Sequence, residues 1–254
     1  MTRTQPRTQP RLSLWPIALD TLALALWGLM LLRYWWTGLL PVLLHPDYHW
    51  LAIGAGWILV GLAGWRGVDL IRTRRQADTA HIALLPRQWS LAILVGVAVF
   101  GLIYVPRPFA SDAALAKGIA EPVALTRSQP QRFSRATPPE ERTLTEWIRT
   151  LNVYPEPDAY QGDPVNVTGF VIQPPEWSGD YLMVARFVLT CCAADAYPIG
   201  LPVEVSAESR SYAPDSWIAV TGTMDTDEVE GQRRLVIRPE TIETVPEPDQ
   251  PYEF

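Results

Sequence analysis

Two adjacent cysteines, Cys191 and Cys192, with Asp195 three positions further on, are the residues whose types and spacing point most directly to chemistry. Thiolates are the ligands preferred by a soft or borderline ion, and a carboxylate can supply a further donor. A disulfide between the two is disfavoured. Neighbouring Cα atoms are about 3.8 Å apart across a trans peptide, short of the usual bridge range of about 4.4–6.8 Å. On a continuing strand the two side chains would point to opposite faces, so a single ion can use both only where the chain turns. The run Ala193-Ala194-Asp195-Ala196-Tyr197-Pro198 suggests such a turn. Three readings stay open. Cys191, Cys192 and Asp195 could hold a soft metal such as zinc, the thiols could do redox chemistry, or the cysteines could simply pack, one in a core and one at its rim. No cofactor is required by the sequence. Arg186, opposite in charge to Asp195, is placed to form an ion pair shaping the segment, worth only about 0–1 kcal/mol if exposed.

Asp20 lies inside an apolar run, where an ionisable group is costly and is a functional candidate by default, unless it reaches the interface or pairs with another helix. His45 and His49 are four apart, the spacing of two ligands on one helical face, but Pro46 between them favours a loop or helix start. Catalytic constellations are otherwise missing. All three His precede residue 90, no Gly-Lys phosphate loop occurs, and no Ser occupies a nucleophile elbow, so no enzyme is expected. Asp225, Asp227, Glu228 and Glu230 lack the spacing of a calcium loop and read as a solvated hairpin.

The elements that must position these residues fall into two contrasting halves. Residues 1–110 carry ten Arg against four Asp, net +6, and eight of the eleven Trp, while the remainder is Pro-rich with a net charge of −12. A simple soluble enzyme domain does not have this division. Two adjacent Cys exclude a disulfide scaffold, and the acidic half has no basic excess with which to hold nucleic acid. Apolar segments near 12–32, 48–68 and 88–105 approach the length of about 20 residues that spans a bilayer core of about 30 Å, and they show no polar stripe at helical period. Three transmembrane helices are therefore expected, with Trp and Tyr near their ends as at a membrane interface. A cleaved signal peptide is the competing reading of the first, but the run is long and no small-residue cleavage site follows. Arg3, Arg7 and Arg11 precede the first helix, and Arg66, Arg72, Arg74, Arg75 and Arg87 follow the second, against Arg33 at the edge of the first loop. Arginine resists translocation, so these pieces should face the cytoplasm, and three crossings place the C-terminal half outside an inner (plasma) membrane.

After a linker over 111–136, residues 137–254 read as a β domain with one preceding helix. Thr137-Pro138-Pro139-Glu140 predicts a capped helix start, and Leu144, Trp147, Ile148 and Leu151 give it one apolar face to about Asn152. Alternation then predicts strands near 164–173, 181–191, 201–206, 217–224 and 234–244. Gly169 and Gly222 occupy matching places in two similar strands, where glycines mark the bends of a closing sheet. Five strands of this kind suit a small OB-type barrel in which the first and fourth are neighbours; a sandwich is the alternative.

The run Arg186-Phe187-Val188-Leu189-Thr190-Cys191-Cys192-Ala193-Ala194-Asp195-Ala196, with Tyr160-Gln161-Gly162, Gly169-Phe170-Val171, His45-Pro46 and Pro251-Tyr252, resembles the YcgQ-like family of membrane permease subunits. The resemblance implies an accessory subunit that works with a larger YcgR-like multi-spanning permease in the lipid bilayer, and it supplies no chemistry.

Overall fold

A computed structural model of the chain describes residues 15–73, 86–118, 137–177, 180–205 and 212–254. The architecture is α+β, with a six-stranded sheet in a C-terminal β domain. Two compact units are distinguished, residues 1–40 with 46–106, and residues 41–45 with 107–254.

The first unit is helical, with α1 over Trp15–Trp36, the short α2 over Leu40–Leu43 at its border, α3 over His49–Thr73 and α4 over Arg87–Ile103. With no Pro beyond the first turn of α1 and none in α3, α1 continues past Leu32 to Trp36 and α3 to Thr73. Small residues let α1 and α3 touch. A Cβ added at Gly28 would lie 2.8 Å from Val60 Cγ2 and 2.9 Å from the Gly56 carbonyl, so only glycine permits this approach. α1 is tied to α4 at the end of the latter, where Tyr34 Oη donates to the Gly101 carbonyl and Arg33 Nη1 to the Leu102 carbonyl, each at 2.6 Å. These bonds satisfy carbonyls that a helix terminus leaves without intrahelical partners.

Outside those contacts many large apolar side chains lie on the surface: Trp50 is 72% exposed, Trp65 71% and Ile71 82%. Two segments, Ala18–Trp36 and Pro46–Arg72, are long and apolar enough to cross a membrane, yet only 22% and 17% of their apolar windows are buried. The third apolar helix, Trp89–Ile103, is shorter. Arg3, Arg7, Arg11, Arg74, Arg75 and the start of the first expected span lie outside the described residues.

The second unit contains α5 (Ser111–Lys117), α6 (Leu144–Val153) and strands β1 (Pro164–Ile172), β2 (Tyr181–Val188), β3 (Tyr197–Glu204), β4 (Trp217–Val229), β5 (Gln232–Val245) and β6 (Tyr252–Glu253). β1 pairs antiparallel with both β2 and β4, β2 with β3, and β4 with β5, while β3 meets β5 in parallel. These pairings join the first five strands in a closed circuit, with β6 added in parallel to β2. The glycine expectation holds at Gly222, where the β4–β5 register shifts and an added Cβ would run into the Arg238 carbonyl. Alternation along β2 sorts its side chains into two cores. Leu182, Val184 and Val188 join the cluster around Trp147 and Ile218, while Met183, Ala185 and Phe187 join one built on Phe170, Trp217 and Tyr252.

Several boundaries differ from the sequence reading, each for a local reason. The helix cap is Thr143 rather than Thr137: Thr143 and Glu146 form a reciprocal capping box that puts Leu144 directly on the buried face, and Pro139–Glu141 forms a separate 3₁₀ turn. The 111–136 linker begins with α5, whose Ala114 is fully buried, while 119–136 lie outside the described residues. The second strand stops at Val188 instead of Cys191, and the third starts at Tyr197. β4 and β5 extend to a two-residue turn at Glu230 and Gly231, both with positive φ, the geometry that suits the twist of a tight hairpin. The hairpin acids are not simply solvated. Asp225 is 9% exposed, accepts from Gln161 at 2.7 Å and pairs with Arg238, and Asp227 accepts from the Tyr181 hydroxyl at 2.7 Å.

Candidate functional site

The cysteines lie on the turn between β2 and β3, and Asp195 builds it. The Asp195 carboxylate accepts three successive backbone N–H groups, from Thr190 at 3.4 Å, Cys191 at 2.9 Å and Cys192 at 3.3 Å. The Asp195 N–H in turn donates to the Cys192 carbonyl at 3.1 Å, closing the 3₁₀ turn Ala193–Asp195. This wrapping defeats the strand alternation that would separate the two side chains. Cys191 Sγ and Cys192 Sγ are 3.7 Å apart, and with an Asp195 carboxylate oxygen they form a group whose ligand atoms all lie within 4.8 Å of one another. Cys191 is exposed, Cys192 and Asp195 are half-buried, and both thiols are free. Beside them in the same unit, Leu44 forms an antiparallel bridge to Cys192, and the His45 N–H donates to the Cys191 carbonyl at 3.1 Å.

The electrostatics follow from the turn. Hydrogen bonding to Asp195, then to Cys192, pushes the Cys191 thiol up to about 11. Burial would raise the Asp195 carboxyl, but the Cys191 thiol and the three backbone donors outweigh it and hold it below its ordinary value. A thiol held protonated by a neighbouring carboxylate is a poor nucleophile at neutral pH, which disfavours thiol exchange. A cation changes the balance, because it replaces the thiol protons and uses the carboxylate's negative charge. The donor set, two thiols and a carboxylate, fits zinc or a similar borderline ion.

Arg186 is not the partner of Asp195. Its guanidinium pairs with Glu253 at 3.5 Å, donates to the Gln250 carbonyl at 2.6 Å and to that of Pro251 at 3.4 Å, and lies 5.4 Å from the Trp217 ring centroid. Burial pushes this guanidinium down, and Glu253 opposes the shift. Glu253 also accepts the Thr145 N–H at 2.7 Å, and its carbonyl accepts the Leu189 N–H at 2.9 Å. The chain end is therefore fastened to α6, to β2 and to the residues that lead into the cysteine turn. Sequence reasoning missed Glu253, whose only signal was an acid next to the Pro251-Tyr252 pair. It also missed the capping role of Asp195, which an Asp three residues after Cys192 and just ahead of Tyr197-Pro198 could have suggested.

The remaining candidates do not join this group. Asp20 is a half-buried residue of α1 in the helical unit. His45 precedes a 3₁₀ turn at Pro46–Tyr48 and α3 begins at His49, so the two histidines do not share a helix; the His45 ring packs edge-on against Phe254 at 4.8 Å.

Residues 140–254 match the family described as the DUF1980 C-terminal domain. At the level of the domain, the match agrees with the resemblance drawn from the Cys-Cys segment. No curated protein matches the chain.

Proposed function

We propose that the chain is an accessory subunit of a membrane transport complex, its C-terminal domain docking on, or presenting solute to, a larger YcgR-like multi-spanning permease. Three helices, α1, α3 and α4, cross an inner membrane with the N-terminus in the cytoplasm, and the β domain lies outside as an OB-type barrel. The observation that carries this reading is the pair of long helices whose apolar side chains are mostly exposed within the unit, a surface that lipid or a membrane partner must cover. The barrel assignment is supported by the closed β1–β2–β3–β5–β4 circuit and the bulge at Gly222. The orientation is supported by the arginines flanking the helices. Three helices are few for a transport pathway, so a partner or an oligomer is implied. Affinity purification from native membranes in mild detergent, followed by mass spectrometry, tests the reading. A multi-spanning permease recovered in near-equal amount supports it, and recovery of no membrane partner contradicts it.

The clustering of Cys191, Cys192 and Asp195 favours a second reading, a membrane-anchored metal-binding or thiol-redox protein. Unchanged function in a Cys191→Ser, Cys192→Ser variant would remove it.

A further inference from the structure

We propose that Cys191, Cys192 and Asp195 form an open three-ligand site for a thiophilic divalent cation of tetrahedral preference, and that this ion is the cargo the subunit presents. The assignment of the ion as cargo rests on the accessory-subunit reading; the site itself does not.

The geometry suits an ion of tetrahedral preference. Two thiolates bound at about 2.3 Å with tetrahedral angles lie about 3.8 Å from each other, whereas a linear two-coordinate ion at that bond length needs about 4.6 Å. The observed Sγ–Sγ separation is 3.7 Å. Asp195 can take part without giving up its turn, because a carboxylate offers about four lone-pair positions and three backbone donors occupy three. Binding is a proton-for-metal exchange: each thiol S–H bond breaks, each sulfur forms a bond to the cation, both protons go to solvent, and nothing is oxidised or reduced.

Two features distinguish cargo from a structural metal. Structural zinc sites are closed by four protein ligands, and among the described residues only three cluster here, with Cys191 exposed to solvent. The turn is also complete without an ion, since Asp195 already satisfies three amides and the strands on either side are paired along their length. An ion held by an exposed, incomplete ligand set can be handed to a partner that supplies the fourth donor.

The test is titration of the full-length, thiol-reduced protein in detergent with Co²⁺ as the probe, followed by Zn²⁺ displacement. The site predicts one Co²⁺ per chain, sulfur-to-cobalt charge-transfer absorption, intense tetrahedral ligand-field bands, and about two protons released per ion near neutral pH. Added imidazole should shift the ligand-field bands as it enters the open position. Cys191→Ser and Cys192→Ser should each lose charge-transfer intensity while near-ultraviolet circular dichroism shows the fold retained; proton release by the unmodified protein gives a readout independent of those variants. No charge-transfer band, or a band unchanged in both variants, overturns the site. A tetrahedral spectrum indifferent to imidazole indicates a closed site and overturns the cargo assignment. Partner recovery from membranes is a separate readout, so loss of the permease with an intact cobalt signal removes the accessory reading and leaves the site standing.

Discussion

Replacing Glu253 by Ala should loosen the C-terminal fastening measurably, because Glu253 serves the half-buried Arg186 guanidinium and the buried Thr145 amide at once. The Arg186 and Glu253 side chains are 16% and 9% exposed. Removing one member of a buried pair costs about 3–5 kcal/mol, and a bond to a charged acceptor contributes about 1.5–3 kcal/mol. Arg186 keeps the Gln250 and Pro251 carbonyls and some access to water, so the combined loss should be about 2–4 kcal/mol. At about 1.4 kcal/mol per tenfold, hydrogen exchange in peptides containing Thr145 and Leu189 should speed up about 30- to 700-fold. Glu253→Gln keeps an acceptor for the Thr145 N–H and removes only the charge, so its effect should be clearly smaller. Exchange within threefold of wild type for Glu253→Ala in both peptides would refute the network, and equal damage from Gln and Ala would refute the importance of the Thr145 bond.

Trp147, with no exposed surface, fills the core beneath α6, and Trp147→Ala should cost about 3–5 kcal/mol, read as a lower urea midpoint of the β domain. Gly222→Val drives a Cβ into the Arg238 carbonyl and should destabilise by about 1–3 kcal/mol or more on the same scale. In the metal-free protein, Asp195→Asn should return the Cys191 thiol from about 11 toward its ordinary 9.0. Thiolate fraction then rises by up to about 100-fold near neutral pH while intrinsic nucleophilicity falls nearly tenfold, so iodoacetamide alkylation should accelerate by up to about tenfold; an unchanged rate would contradict the hydrogen bond. Because the folded-state value of Asp195 is depressed, its stabilisation of the turn is present above the ordinary aspartate range and lost as pH falls through that lower value. Protection of amides 190–192, taken relative to their intrinsic exchange rate at each pH, should therefore hold into mild acid and fall only below about pH 4, near the unfolded aspartate value.

Local patterns were legible in the sequence where neighbours decide the outcome. The apolar face Leu144, Trp147, Ile148 and Leu151, the five main strands and the bulge glycine at Gly222 all follow from periodicity or from crowding at one position. Two Thr-x-x-Glu patterns compete for the cap of α6, and only the demand that Leu144 begin the buried face selects Thr143. The Arg186 partner was not legible, since Glu253 lies 67 residues away on a two-residue strand too short to show alternation. For the cysteines, adjacency suggested opposite faces, and the outcome reversed because one carboxylate gathers three amides and turns the chain. That choice depends on hydrogen bonds between side chain and backbone, which residue spacing alone does not rank.

The side of the membrane on which the cysteines stand tests the proposal most directly, and the chain supplies its own probes, since Cys191 and Cys192 are its only cysteines. Intact spheroplasts expressing the full-length protein are treated at mildly alkaline pH with a membrane-impermeant maleimide, with detergent-permeabilised cells as the reference. Exposed Cys191 should be labelled to the same extent in both samples, as three crossings and an extracytoplasmic domain require. Labelling only after permeabilisation would place the domain in the cytoplasm and contradict the proposed topology, along with the presentation of cargo at the outer face.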